Sequence, residues 1–425
     1  MEYRKKYYPG YNLHLIKTDK FKMCHIDVIF RNNVNVNDLT KRQFLIRMLC
    51  ENSYNYPSRR KLLLKLEDLY GASIYGNSSK VGSAYISNIS IDYLNPQYTE
   101  KSMTKESIKL FFDIIFNPNV SVREFDSKTF NLIKERLRDS INSAIENPKR
   151  LSVLNAIGKL KDTPSAYSSL GTISSLEDIT PENLYSYYED MIKNDYVDIF
   201  VIGDINMDEV EKYISEYAKF KTIKNHEVNL YFKNKKVKEQ NYTENFSAAQ
   251  SNISIILNLN NLTDYEKKYV ANLYNMILGG GALQTKLYKK LREENSLCYS
   301  VNSVYQKYDG LILITTGVDA NSNDKAIKLI KSCIKDMAKN ISDDEINDAK
   351  EFVITSLNYV KDDLGRIIDN YYFEDLHTLD DLETRIKTYK NVTKEDIYNV
   401  AKKISISVVY TLAGGNHEEN WIFRC

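Results

Sequence analysis

The chain of 425 residues repeats itself at roughly half its length, and a fold built twice is the strongest constraint the sequence sets. Four pairs of segments recur in the same order, at offsets of a little over 210 to about 230 residues. The apolar run at 24–30 corresponds to 252–257, and residues 107–110 correspond to 325–329. Each is followed by a predicted capping box, Ser121-x-x-Glu124 in the first half and Ser342-x-x-Glu345 in the second. There a serine oxygen and a glutamate satisfy orphan amides at a helix start. The fourth pair sets Thr180-Pro-Glu-Asn-Leu184-Tyr185 beside Thr393-Lys-Glu-Asp-Ile397-Tyr398. Both predict a helix with a threonine cap and an acid in the first turn. Pro181 stands at the first helical position, where a missing amide hydrogen costs little. A strand follows each, at 197–203 and 406–414.

Within the first half, the alternating run 84–93 predicts a half-buried strand. Residues 97–116, 122–146 and 181–192 predict helices, as do 41–50. Strands grouped with helices on one face predict an α+β fold of two homologous layer-sandwich domains. The expected division is 1–222, a polar, lysine-rich linker at 223–245, and 246–425.

Composition narrows the function. Hydrophobic content of 43% and charged content of 27% describe an ordinary globular chain, and the net charge is +1. A generic nucleic-acid or anionic-membrane binder would carry a basic excess. No run reaches the ~18 apolar residues of a membrane helix, and no apolar stretch follows the basic start, so a cytoplasmic location is expected. Cys24, Cys50, Cys298, Cys333 and Cys425 are scattered and form no C-x-x-C, which argues against a disulfide framework or a thiolate zinc site. His14, His25, His226, His377 and His417 stand apart, none with another histidine within five residues. Glu374-x-x-His377 is read as a surface contact on one helical face, and His417-Glu418-Glu419 as tail.

One segment carries chemistry. Gly279-Gly280-Gly281 is followed by Leu283, Leu287, Tyr288 and Leu291 at helical spacing, with Arg292 one turn above Tyr288. A strand is expected to put Leu297, Tyr299 and Val301 on one face. Arg292 and Tyr299 then flank a helix-to-strand corner and can point to one spot. Residue spacing alone favours an arginine ion-paired near Glu293 or Glu294 and a tyrosine in the core. The glycines lack the spacing and terminal lysine of a nucleotide loop; they suit a turn, or a close backbone approach.

This segment resembles the substrate-gripping segment of the insulinase and mitochondrial-processing-peptidase family of zinc proteases. Leu66-Glu-Asp-Leu-Tyr-Gly-Ala-Ser73 is similar to the stretch after that family's zinc helix. Leu170-Gly-Thr172, with 179–184 and Val201-Ile-Gly-Asp204, is similar to the end of its first domain. The resemblance runs over nearly the whole chain. It implies that Arg292 and Tyr299 donate to a peptide carbonyl oxygen, stabilising the oxyanion formed on attack, beside Gly279, Gly280 and Gly281.

Where the family carries His-x-x-Glu-His, this chain reads Gln43-Phe-Leu-Ile46-Arg47. Gln43 offers a neutral amide, Ile46 cannot take a proton, and Arg47 has no lone pair. A unit charge ~4 Å from a divalent cation, at an effective dielectric of ~20, implies repulsion of about 8 kcal/mol. Glu124, Glu135 and Asp139, in the region of the family's third ligand, make no site without histidines. No metal is therefore expected in this chain. The resemblance implies a non-catalytic subunit, with zinc in a paralogue of similar length, or else a homodimer, acting on a peptide. The alternative is an inert scaffold or peptide-binding protein of the same fold.

Overall fold

The computed structural model describes residues 1–161, 163–221, 226–232, 238–281 and 284–415; Leu283, His417 and Cys425 lie outside them. Two compact units emerge, one formed by Met1–Asn142 with Ser168–Leu230, the other by Ser143–Tyr167 with Tyr231–Cys425. The stretch Ser143–Tyr167, assigned by the expected division to the first half, thus belongs to the second unit.

The first unit holds strands β1 (Glu2–Tyr8), β2 (Tyr11–Lys17), β3 (Met23–Asn33), β4 (Ser73–Val81) and β5 (Ala84–Leu94). A two-strand hairpin, β6 (Val120–Ser121) and β7 (Glu124–Phe125), stands apart, and β8 (Tyr196–Gly203) completes the set. The sheet order is β1-β2-β8-β3-β5-β4. Alternation decides its faces. Cys24, Ile26, Val28 and Phe30 of β3 enter one core with Phe44, Phe111 and Leu137 from helices. The intervening His25 and Asp27 carry polar contacts instead, His25 Nδ1 to Asp92 Oδ1 at 2.7 Å and Ser90 Oγ to Asp27 Oδ1 at 2.8 Å.

The second unit holds β9 (Gln240–Asn245), β10 (Ser251–Leu259), β11 (Val301–Gln306), β12 (Leu311–Val318) and β13 (Ile404–Ala413), in the order β11-β12-β10-β13-β9. Read in reverse, β9-β13-β10-β12-β11 reproduces β2-β8-β3-β5-β4. In each set the first pair is parallel and the rest antiparallel. The duplication expected from the four segment pairs is therefore a duplication of topology, with β1 as an addition to the first copy. One face of the second sheet joins the helices Asn323–Asp336 and Asp343–Asn358 through Ile255, Ile314, Ile330 and Val353. The helix Pro148–Gly158 lies on the other, where Ala156 packs with Ile256, Val408 and Tyr410.

The capping residues behave unequally. Thr180 with Asn183, Ser342 with Glu345 and Thr393 with Asp396 form complete capping boxes. Ser121 and Glu124 do not. They pair across the β6–β7 hairpin, whose turn residues Val122 and Arg123 have φ of 51° and 66°. The helix expected over 122–146 starts later, as Ser127–Glu146, with Asp126 Oδ2 accepting from the Thr129 amide at 2.8 Å. The helix expected from 97 likewise spans Met103–Phe116.

Candidate functional site

The helix Leu39–Leu49 carries the three positions that answer to a zinc motif. Two of them are buried, and the third is half-buried. Gln43 is buried, and its Nε2 donates to the Ser78 carbonyl oxygen of β4. Ile46 is 1% exposed and abuts Gly76, where an added Cβ would come within 2.6 Å of its Cγ2. Arg47 reaches the opposite helix, Nη1 donating to Ser140 Oγ at 3.1 Å. Burial lowers the Arg47 pKa, yet a guanidinium starts so high that it stays charged. One turn earlier, Arg42 locks the helix through a buried ion pair with Asp195 and a 2.8 Å bond to Ser87 Oγ.

The acids of the opposite helix offer nothing in return. Glu135 pairs with Arg138, and Asp139 is exposed. Glu124 lies in β7, outside that helix. Among the described residues, no three histidine, cysteine or acidic side chains converge on Gln43, Ile46 and Arg47. An amide, a hydrocarbon and a fixed cation do not fit a zinc ion.

The Arg292 segment differs. Thr285 caps a helical turn, Lys286–Tyr288, that continues as a wider π-helical turn over Lys289–Glu293. Ser296, at φ 51°, reverses the chain, and the Leu297 amide closes back on the Leu291 carbonyl at 2.8 Å. The strand expected from Leu297 begins only at Val301. Tyr299 therefore sits in an irregular connection rather than on a strand face, because the left-handed Ser296 and the closure onto Leu291 occupy the backbone. Arg292 and Tyr299 are nevertheless neighbours. Arg292 Nη1 donates to the Tyr299 carbonyl oxygen at 2.8 Å. Its guanidinium lies 4.7 Å from the Tyr299 ring centroid and 5.2 Å from that of Tyr288. Glu294 is taken by Lys290 at 2.7 Å, so it does not hold Arg292. Tyr299 is 81% exposed, and its hydroxyl makes no hydrogen bond among the described residues.

Comparison with known proteins shows what the chain is similar to. The family model described as "Peptidase M16 inactive domain" matches residues 178–353. The "probable inactive metalloprotease YmfF" of Bacillus subtilis (strain 168) is 24% identical over 411 residues, 95% of this chain and 96% of that one. The "uncharacterized zinc protease YmxG" of the same organism is 26% identical over 198 residues, 45% of this chain and 46% of that one. A conserved protein from Enterococcus faecalis V583 superposes with a TM-score of 0.90 at 27% identity, covering 96% of this chain and 98% of that one. A peptidase M16 inactive domain from Pseudomonas fluorescens does so at 0.79 and 18%, covering 99% and 100%. The chain is similar to M16 peptidase homologues over nearly its whole length. The family model and two of these relatives carry descriptions that call them inactive, and the fold of this chain is the duplicated α+β sandwich of its M16 structural neighbours. No helix among the described residues is long and apolar enough to cross a membrane.

The triple glycine has a packing reason. Gly279 and Gly280 end a π-helical turn, Met276–Gly280, that leans on β11. A Cβ on Gly279 would come within 2.9 Å of Ser303 Oγ, and one on Gly280 within 2.1 Å of Asn275 Nδ2. On Gly281 it would meet the Met276 carbonyl oxygen at 2.9 Å. None of the three has a positive φ, so space rather than backbone freedom selects glycine. Tyr288 joins the site as the second ring on Arg292. Its signal was in the sequence, four residues before the arginine.

Proposed function

We propose that this chain is the zinc-free subunit of a two-chain M16 peptidase and supplies peptide contacts to a zinc-bearing paralogue of similar length. The observation that carries the reading is the contrast within one chain: Gln43 and Ile46 are buried and Arg47 is a half-buried cation on Ser140, while Arg292 and Tyr299 meet with the tyrosine open to solvent. Arg292 spends one N–H on the Tyr299 carbonyl. Its guanidinium has five N–H donors, so others stay available for the carbonyl oxygen of an extended peptide. The Tyr299 hydroxyl is a further donor. Zinc, held by the partner, would supply the activated water and the polarised carbonyl. This chain's residues would orient the peptide and stabilise developing negative charge. A second copy of the same chain is the poorer partner, because two copies of Gln43, Ile46 and Arg47 still hold no metal.

The test is to co-purify the chain with a zinc-bearing M16 paralogue from the same genome and compare peptide cleavage by the mixture with that of each alone. Cleavage that appears only in the mixture and drops sharply with Arg292→Ala and Tyr299→Phe is the expected result. One observation favours a second reading, a peptide-binding scaffold without a part in the reaction. Arg292 already has ring partners on two sides and a carbonyl of its own chain. A stable complex indifferent to both substitutions would establish that reading.

A further inference from the structure

A separate feature of the first unit lies outside the Arg292 segment. The helices Met103–Phe116 and Pro181–Asn194 contribute to a cavity of about 750 Å³, a size that suits a ligand of several residues. Its apolar lining comes from Phe116, Pro118, Val120, Tyr185, Tyr188 and Ile192. Tyr188 is fixed there by its hydroxyl, which donates to the Ile115 carbonyl at 2.9 Å. Three lysines share the lining, Lys193, Lys219 and Lys221. None of them has an ion pair or side-chain hydrogen bond among the described residues. Lys193 stands in the last turn of its helix, where a cation offsets the helix dipole. Lys219 and Lys221 follow the helix Met207–Tyr217 and belong to no element. The one acid in the lining, Glu189, is held by Arg123. The result is uncompensated positive charge beside an apolar, aromatic surface.

The cavity continues. A second one, of about 540 Å³, shares Phe116, Asn117 and Lys219 with the first and adds Tyr56, Phe112 and Tyr217. Its Asp113 does not repel an anion strongly, because three donors hold the carboxylate: Ser53 Oγ at 2.9 Å, Asn55 Nδ2 at 2.6 Å and Asn117 Nδ2 at 2.9 Å. Its other acid, Glu106, lines the cavity together with Lys65 and Lys109.

We propose that this trough binds the free C-terminal end of an apolar peptide, the last side chain against Tyr185, Tyr188 and Ile192 and the terminal carboxylate against Lys219 and Lys221. A C-terminal apolar residue carries a hydrocarbon or aromatic side chain and a carboxylate on one α-carbon, which is the pairing that the aromatic surface and the lysines present together. Charge-assisted contacts of lysine to carboxylate are the stronger class of hydrogen bond. The length of two adjoining cavities suits a chain of residues better than a single amino acid. The site is distinct from Arg292 and Tyr299, and it stands or falls independently of the two-chain peptidase reading.

The experiment is isothermal titration of the full chain with N-acetyl-Ala-Leu-Phe as the free acid and as its C-terminal amide. The acid is expected to bind, and the amide at least about tenfold more weakly, the loss of one charged contact. A Lys219→Gln/Lys221→Gln double variant should weaken the acid by about the same factor and leave the amide unchanged. Tyr185→Ala should weaken both. The two lysines are exposed, so the double variant should keep the circular dichroism spectrum of the parent. Equal binding of acid and amide, no effect of the lysine variant, or no binding of the acid at about 1 mM would each overturn the proposal.

Discussion

The helix Leu39–Leu49 and the segment from Lys286 to Tyr299 both resemble working parts of a peptidase in sequence position, yet they treat their polar groups differently. In the first, each polar side chain has an internal partner: Gln43 with the Ser78 carbonyl, Arg47 with Ser140, Arg42 with Asp195. In the second, the arginine bonds the Tyr299 carbonyl and lies near two rings, but the tyrosine side chain is 81% exposed and its hydroxyl has no partner among the described residues. A group satisfied inside the fold contributes to stability and is unavailable to a ligand. A group left open contributes little to stability and can take one. The comparison therefore separates a site that has become structure from one that still faces outward.

Substitutions in the two regions should differ accordingly. The largest effect is expected from Ile46→Glu, which restores the family's glutamate at a position 1% exposed. An uncompensated charge there should cost about 3–5 kcal/mol in urea unfolding. A variant as stable as the parent would show that the pocket is not sealed.

A buried cation that can titrate sharpens the contrast with Arg47, which cannot. Lys307 lies in the turn between β11 and β12, its amine donating to the Thr378 carbonyl. Burial, with Lys268 and Arg385 nearby, pushes its pKa down to about 7. The unfolded lysine binds its proton up to its ordinary, higher pKa, so between the two values the unfolded state holds more protons. Stability should therefore rise with pH from about 7 to about 10.5, by on the order of a few kcal/mol. Lys307→Met should flatten that rise; an unchanged pH profile in the variant would remove Lys307 as its source.

Gly280→Ala should cost about 1–3 kcal/mol through overpacking against Asn275, measured by the same unfolding curves. The smallest effects belong to the open segment. Arg292→Ala should lose no more than about 1 kcal/mol, the scale of an exposed cation–π contact, and Tyr299→Phe should be neutral. A large loss at either would mean that the segment is held for the fold, and the contrast would fail.

The contrast was half legible in the sequence. The chemistry at 43, 46 and 47 could be read directly, since a missing lone pair needs no coordinates. The threonine caps at 180 and 393 and the strand over 84–93 follow from local pattern, and local pattern survived folding. What failed were positions where the backbone leaves the common regions. Val122 and Arg123 adopt positive φ without being glycine, so Ser121 and Glu124 became partners in a hairpin while still spelling a capping box. Ser296 does the same before Tyr299 and delays β11 to Val301. Tertiary approach was equally hidden. Residues 148–158 spell a helix, but nothing local says that Ala156 packs on the second sheet. Arg42 and Asp195 find each other across 153 residues of chain.

The central claim is that a helix presenting Gln43, Ile46 and Arg47 cannot hold metal and that this chain alone does not hydrolyse peptides. The direct measurement is zinc content per chain, by mass spectrometry of the purified protein after incubation with zinc, run beside a peptide-cleavage assay with and without chelator. Zinc well below one equivalent, with no cleavage, is predicted. One bound zinc per chain together with chelator-sensitive cleavage would contradict it.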